Sequence, residues 1–152
     1  MNTNSIEIKK QLLQVCIDFV LQKQQTIEGI IASNKNSLES ETKSSAGDKH
    51  ETGRAMLQLE MEKAGQQLAE IHKMKATLER INLQQNAQKG ALGSLISTEN
   101  FHYFLAISIG KVVVNATEYF VVSTSSPIGK QLLGIEKGAT IPINHQIVIQ
   151  LI

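Results

Sequence analysis

Apolar residues recur three and four positions apart along two long stretches of the chain, and beyond them the spacing changes. From Ser5 to Ser40 apolar residues recur at helical spacing, among them Leu12, Val15, Cys16, Phe19, Val20, Ile27, Ile30, Ile31 and Leu38, with no proline and only Gly29 as a glycine. That spacing gathers them on one side of a helix. Asn4 or Ser5, followed by Ile6 and Glu7, supplies a helix start. The second stretch is more regular. Leu57, Met61, Ala64, Leu68, Ile71, Lys75 and Leu78 alternate steps of four and three, with Met74 and Ile81 beside them. This is the a/d seam of a coiled coil.

A short polar segment joins the two stretches: Ser44-Ser45-Ala46-Gly47-Asp48-Lys49-His50-Glu51-Thr52-Gly53. Two amphipathic helices with such a joint fold back most simply as an antiparallel pair. The expected first domain is therefore residues 1–85, a coiled-coil hairpin with an acidic tip near 44–53. Arms of about 35 residues at ~1.5 Å rise each would make a rod of roughly 50 Å.

Gln84-Gln85-Asn86-Ala87-Gln88-Lys89-Gly90 is polar and ends on glycine, so 86–90 reads as a linker. Beyond it the period becomes strand-like: Gly93 to Ser97, Phe101 to Ile109, Lys111 to Val114, Tyr119 to Ser123, Ala139 to Ile143, and Ile147 to Ile152. Glu99-Asn100, Gly110, Asn115 and Asn144-His145 punctuate these runs. Between them, Pro127 follows Ser126 as in a helix's first turn, and Gly134 stands where a helix would end. Residues 91–152 are thus expected to form a small antiparallel sheet with one short helix, giving an α+β chain.

Composition sharpens this picture. The 15 basic and 14 acidic residues nearly balance, which excludes nucleic-acid binding driven by charge alone. Through Gln85 there are 11 of each sign, against 4 basic and 3 acidic afterwards, as expected of exposed helices followed by a more buried half. The one cysteine, Cys16, rules out an internal disulfide and reads as a small core residue. The start, Met1-Asn2-Thr3-Asn4-Ser5, lacks a signal peptide's layout, and no apolar run approaches the roughly 20 residues of a membrane span. A soluble cytoplasmic protein is expected.

The chemistry-bearing residues are few. Asp48 and Glu51 lie three apart, neighbours on one helix face, and can serve as a capping box. Their carboxylates can also share a hard divalent cation such as Mg²⁺, but two are too few to hold it alone, so a partner must complete the site. His50 has no second histidine or cysteine close by, and His72 reads as a surface residue. The second half holds no nucleophile–histidine–acid set, phosphate loop or metal-spaced cluster; it reads as a docking module.

Two segments resemble one family, the bacterial Gre transcript-cleavage factors of RNA polymerase. Gly47-Asp48-Lys49-His50-Glu51 is similar to the family's tip pattern Gly-Asp-x-x-Glu-Asn. Ser126-Pro127-Ile128-Gly129-Lys130-Gln131-Leu132-Leu133-Gly134 is similar to its C-terminal signature Ser-Pro-[Leu/Ile]-Gly-x-x-Leu-Leu-Gly, and Lys137-Gly138 and the closing strand also fit. The resemblance implies an FKBP-like C-terminal domain that docks at the rim of the polymerase's secondary channel, with Ser126, Pro127, Ile128 and Gly129 at the partner-binding surface. It implies that the coiled coil enters the channel and that Asp48 and Glu51 hold Mg²⁺ in trans at the polymerase's active centre. The protein would not be an enzyme itself. It would bind no cofactor alone, touch nascent RNA only indirectly, act as a monomer and stimulate the polymerase's own cleavage of backtracked RNA. Four residues depart from the pattern: Thr52 replaces the family's Asn, Lys49 a usual apolar residue, Arg54 a usual acidic residue and Ala55 a common aromatic. The alternatives are a channel-binding regulator without cleavage, a prolyl isomerase-like module and a coiled-coil adaptor.

Overall fold

The computed structural model describes residues 3–43, 47–85 and 87–152, with side-chain surroundings for 4–40, 52–85 and 87–152. Two long helices come first, α1 (Thr3–Lys43) and α2 (Gly47–Glu79). Then follow β1 (Leu95–Ser97), β2 (His102–Ala106), β3 (Gly110–Val114), β4 (Thr117–Ser123), a short helix α3 (Pro127–Leu132) and β5 (Gln150–Leu151). The layout is α+β. Among the described residues no helix is long and apolar enough to cross a membrane.

The chain forms two compact units: Met1–Asp18 together with Ala76–Ile152, and Phe19–Lys75. In the second unit the seam of α2 appears as expected. Ala64 and Ile71 are buried, Leu57, Met61, Leu68 and Lys75 are half-buried, and most of the positions between them are exposed. On α1 the less exposed positions are Val20, Gln24, Ile27, Ile31, Asn34 and Leu38, again steps of four and three, while Ile30 points outward at 42% exposure. Two members of this seam are polar, and an apolar pattern search passes over them. Lys75 Nζ donates to Gln24 Oε1 at 3.1 Å, joining residues 51 apart in sequence and setting an antiparallel register. Stepping in opposite directions from that pair brings position 34 level with 65, and Gly65 leaves open space where a side chain would stand.

Asn34 is buried, and its Nδ2 has no hydrogen-bond partner among the described residues. An orphaned buried amide costs about 1–3 kcal/mol, whereas an apolar residue of like size fits a seam position. Asn34→Leu is therefore expected to raise stability by about 1–2 kcal/mol. Loss of the helical far-ultraviolet signal in urea checks this as a higher midpoint at unchanged slope.

The first unit contains the sheet, with strand order β3-β4-β2-β1-β5. It is mixed rather than wholly antiparallel. β2 and β4 run parallel, with Tyr103 opposite Phe120 and Leu105 opposite Val122, while the other three pairings are antiparallel. β3 takes the edge beyond β4, so the chain leaves β2, turns at the rim and returns through β4 in β2's own direction. The expected strand Ala139 to Ile143 is likewise corrected: it makes only the bridge Thr140–Ile147. A tight turn interrupts it, closed by Ile141 N–H to Gln146 O and His145 N–H to Ile141 O. The antiparallel run Ile147 to Ile152 narrows to β5, although Ile149 and Ile152 still donate to Ser97 and Leu95.

Alternation gives the sheet two buried faces. Ile96, Tyr103 and Leu105 pack with Leu132, Ile135, Ile141 and Val148, and Phe101, Phe120, Val122 and Ile128 surround them. Leu95, Phe104 and Val121 share one cross-strand row on the opposite face, all buried. Leu12 and Cys16 of α1 and Leu78 of α2, in the same unit, are also buried. Burial pushes the Cys16 thiol up to about 12, so it stays protonated, as a packing residue should. α2 stops at Glu79, sooner than the apolar seam runs. Asn82 accepts Gln84 N–H on its side chain and Gln85 N–H on its backbone, a local turn that competes with another helical turn.

The β3–β4 hairpin turns on Asn115 and Ala116, whose φ angles are 51° and 65°. Two left-handed residues match the twist of a two-residue hairpin. Asparagine tolerates this region, but alanine pays about 1–2 kcal/mol there. Ala116→Gly is expected to gain about 0.5–1 kcal/mol after glycine's extra chain entropy, read as a higher urea midpoint.

Candidate functional site

The sequence points to two places. At the first, α2 begins at Gly47, so Asp48 and Glu51 are the second and fifth residues of that helix. Their side chains, with those of Lys49 and His50, lie outside the described residues, as do residues 44–46 of the expected tip. Carboxylates in a first helical turn favour the positive end of the helix dipole. Two of them offer oxygen donors that suit Mg²⁺ and leave most of its coordination to other groups. Among the described residues no group of three or more histidine, cysteine or acidic side chains could hold a metal.

The second place is α3, built by local chemistry. Ser126 is its N-cap, with φ −70° and ψ 159°, and its Oγ accepts Gly129 N–H at 3.0 Å. The same hydroxyl donates to Ser123 O at 2.7 Å, tying the helix start to the end of β4. Pro127 occupies the first turn, where its missing N–H costs nothing. Gly129 lies so close to β4 that an added Cβ would stand 1.8 Å from Ser123 O. Ile128 packs against the core beside Leu132. At the far end Gly134 takes φ 78° and donates to Gly90 O at 2.7 Å. Of the four residues expected at a partner surface, only Pro127 is exposed. Ser126 and Ile128 are half-buried and Gly129 is buried, and their described contacts hold α3 to the sheet.

In and after this motif lie apolar residues that sequence reading did not mark as exposed. Leu133, Ile143, Ile147 and Ile149 are 44–55% exposed. Ile143 is held to α3 by its N–H donating to Gln131 Oε1 at 2.8 Å. The signal available in the sequence was a closing segment whose isoleucines outnumber the inward positions of one strand face.

The aromatic residues of the sheet pack on one another. Phe101 contacts Phe120 with centroids 5.9 Å apart, and Tyr103 lies 6.1 and 6.0 Å from the same two rings. Asn144 Nδ2 donates to the Tyr103 hydroxyl at 3.0 Å, and burial raises that phenol's pKa. A cavity of about 540 Å³ lies instead along the helices of the second unit, between Phe19, Ile27, Ile71 and Met74. His72 is exposed.

Compared with known proteins, the chain matches no family model, no curated protein and no solved structure.

Proposed function

We propose that this protein is a cytoplasmic, monomeric transcription elongation factor of the Gre type, which binds RNA polymerase and stimulates the polymerase's cleavage of backtracked RNA. The observation that carries this is the order of parts. A helical pair whose second member opens with Asp48 and Glu51 is followed by a sheet unit that carries the Ser126–Gly134 helix. In this reading the sheet unit docks at the rim of the secondary channel, with exposed Pro127 and its apolar neighbours Leu133 and Ile143 offered to the polymerase. The helical pair enters the channel. Asp48 and Glu51 would hold a Mg²⁺ ion jointly with polymerase groups, and the metal, when bound, activates water and offsets charge on the scissile phosphate. The chain's own task is to deliver two carboxylates.

A second reading has its own support. Lys49, Thr52, Arg54 and Ala55 all differ from the family pattern, and neighbouring groups position the side chains that hold a metal. With the tip altered in this way, the protein would occupy the channel as a regulator without promoting cleavage.

Backtracked elongation complexes of a bacterial RNA polymerase, incubated with the full chain and Mg²⁺, test both. Comigration with the polymerase plus shortened RNA supports the first. Comigration without shortening, together with competition against a cleavage-proficient factor, supports the second. Absence of comigration overturns both and leaves a coiled-coil adaptor as the reading to pursue. Catalysis of prolyl-peptide isomerisation would instead point to the isomerase-like module.

A further inference from the structure

The outer face of α3 gathers apolar groups beside one cation. Pro127, Lys130 and Leu133 stand three apart along it and are exposed, while Ile128, Gly129 and Leu132 turn inward. Residues three apart are surface neighbours on a helix, so Lys130 lies between the other two. Ile143 joins this face. Its N–H donates to Gln131 Oε1 at 2.8 Å, and it is 53% exposed. A lone exposed apolar residue is ordinary. Here three are held next to a single ammonium.

That ammonium is left over when the charges of its unit pair. Residues 87–152 carry four lysines and three glutamates. Lys89 pairs with Glu136 at 3.6 Å, and Lys111 with Glu118 at 2.8 Å. Among the described residues Lys130 has no ion pair, nor does Lys137 just beyond the helix. A lysine so placed lays its methylene stem along apolar neighbours and offers its charge at their rim. The complement of such a face is an apolar patch edged by a carboxylate, the make-up of a protein surface. Nucleic acid is disfavoured, because four cations against three anions make no field that gathers phosphates.

We propose that Lys130 selects the docking partner of α3: a protein surface with an apolar patch for Pro127, Leu133 and Ile143, and a carboxylate placed to meet the ammonium. This rests on the reading above, in which the partner is RNA polymerase, and it names the chemistry that the polymerase must present there. The two kinds of group act at different stages. The ammonium steers the approach and rejects surfaces that carry a cation at that place. The apolar groups, once covered, slow dissociation.

Surface-captured bacterial RNA polymerase, with the full chain flowed over it at several salt concentrations, tests this. Lys130→Gln is expected to slow association about 3–10-fold at low salt, to flatten its salt dependence and to leave dissociation nearly unchanged. Lys130→Glu sets a carboxylate against a carboxylate and should weaken binding about 30-fold or more. Leu133→Ser with Ile143→Ser should instead speed dissociation about 10-fold. Lys111→Glu makes the same change of charge on β3 and should alter binding less than about 2-fold. Equal losses in Lys130→Glu and Lys111→Glu overturn the proposal, since net charge then accounts for both. Wild-type binding that Lys130→Glu leaves intact overturns it too, while sparing the Gre-type reading. A wild type that the polymerase does not retain overturns both. Retention of the wild type by duplex DNA alone, lost in Lys130→Glu, would assign the lysine to phosphates and also overturn it.

Discussion

Gly129→Ala is expected to destabilise the sheet unit by about 3–5 kcal/mol, because the new methyl must enter space filled by backbone. Its Cβ would stand 1.8 Å from Ser123 O, 2.8 Å from Ser123 C and 2.9 Å from Ser126 Oγ. No side-chain rotation relieves a clash with a carbonyl, so α3 must lift away from β4. Two further losses follow. The N-cap bond from Gly129 N–H to Ser126 and the bond from Ser126 Oγ to Ser123 O both depend on that close approach, and a lost cap alone costs about 1 kcal/mol. Lifting α3 also withdraws Leu132, fully buried, from the core. The chain has no tryptophan, and both tyrosines, Tyr103 and Tyr119, lie on the sheet, so near-ultraviolet circular dichroism in urea isolates this unit. A midpoint shift worth under about 1 kcal/mol would mean that the helix start yields easily and that the glycine is not required there.

That prediction rests on what was most legible in the sequence. Ser126, Pro127 and Gly134 announce a short helix through interactions spanning a few residues, and the structure places the cap, the first turn and the stop at those positions. The α2 seam was equally legible, since its spacing is a local property of one helix. Legibility fails where partners are distant or atypical. Nothing in Phe101 to Ile109 says that β2 will pair parallel with β4, because that pairing is decided by how the β3 hairpin swings to the edge. Gln24 and Asn34 occupy seam positions but are polar, so a search for apolar periodicity cannot find them; the Lys75 bond explains Gln24, and Asn34 has no such compensation. Ala139 to Ile143 has a strand's composition, yet His145 at φ 59° and the turn around it leave room for a single bridge.

The candidate site divides along the same line. Ser126, Pro127, Ile128 and Gly129 were expected at a partner surface, and the described contacts of Ser126 and Gly129 also build a tight β4–α3 junction. Pro127, Leu133 and Ile143 are exposed, and exposure depends on tertiary packing that a sequence pattern does not carry. Asp48 and Glu51 present the opposite case. Their spacing is legible, but in the proposed reading their chemistry would be completed by groups that another molecule supplies.

Replacing both tip carboxylates by amides, Asp48→Asn with Glu51→Gln, is expected to reduce stimulated RNA cleavage by about 10²-fold or more while leaving polymerase binding unchanged. The magnitude follows from the metal's role. A cation that offsets charge on a scissile phosphate contributes several kcal/mol to the transition state, and each 1.36 kcal/mol, roughly, is tenfold in rate. Amides keep the size and polarity of the side chains but remove the charge that draws a hard cation. They also separate the metal role from the structural one. Asparagine supports a helix start about as well as aspartate, so losing favourable dipole contacts should cost only about 0.3–1 kcal/mol per residue. Raising Mg²⁺ should partly restore cleavage if the defect is metal affinity. Cleavage that survives the double substitution would sink the metal-holding role even if the helix were weakened. Cleavage absent from wild type as well, with binding intact, would assign Lys49, Thr52, Arg54 and Ala55 to a tip shaped for occupying the channel. In that event, restoring the family pattern through Thr52→Asn and Arg54→Glu should bring Mg²⁺-dependent shortening of the transcript into view.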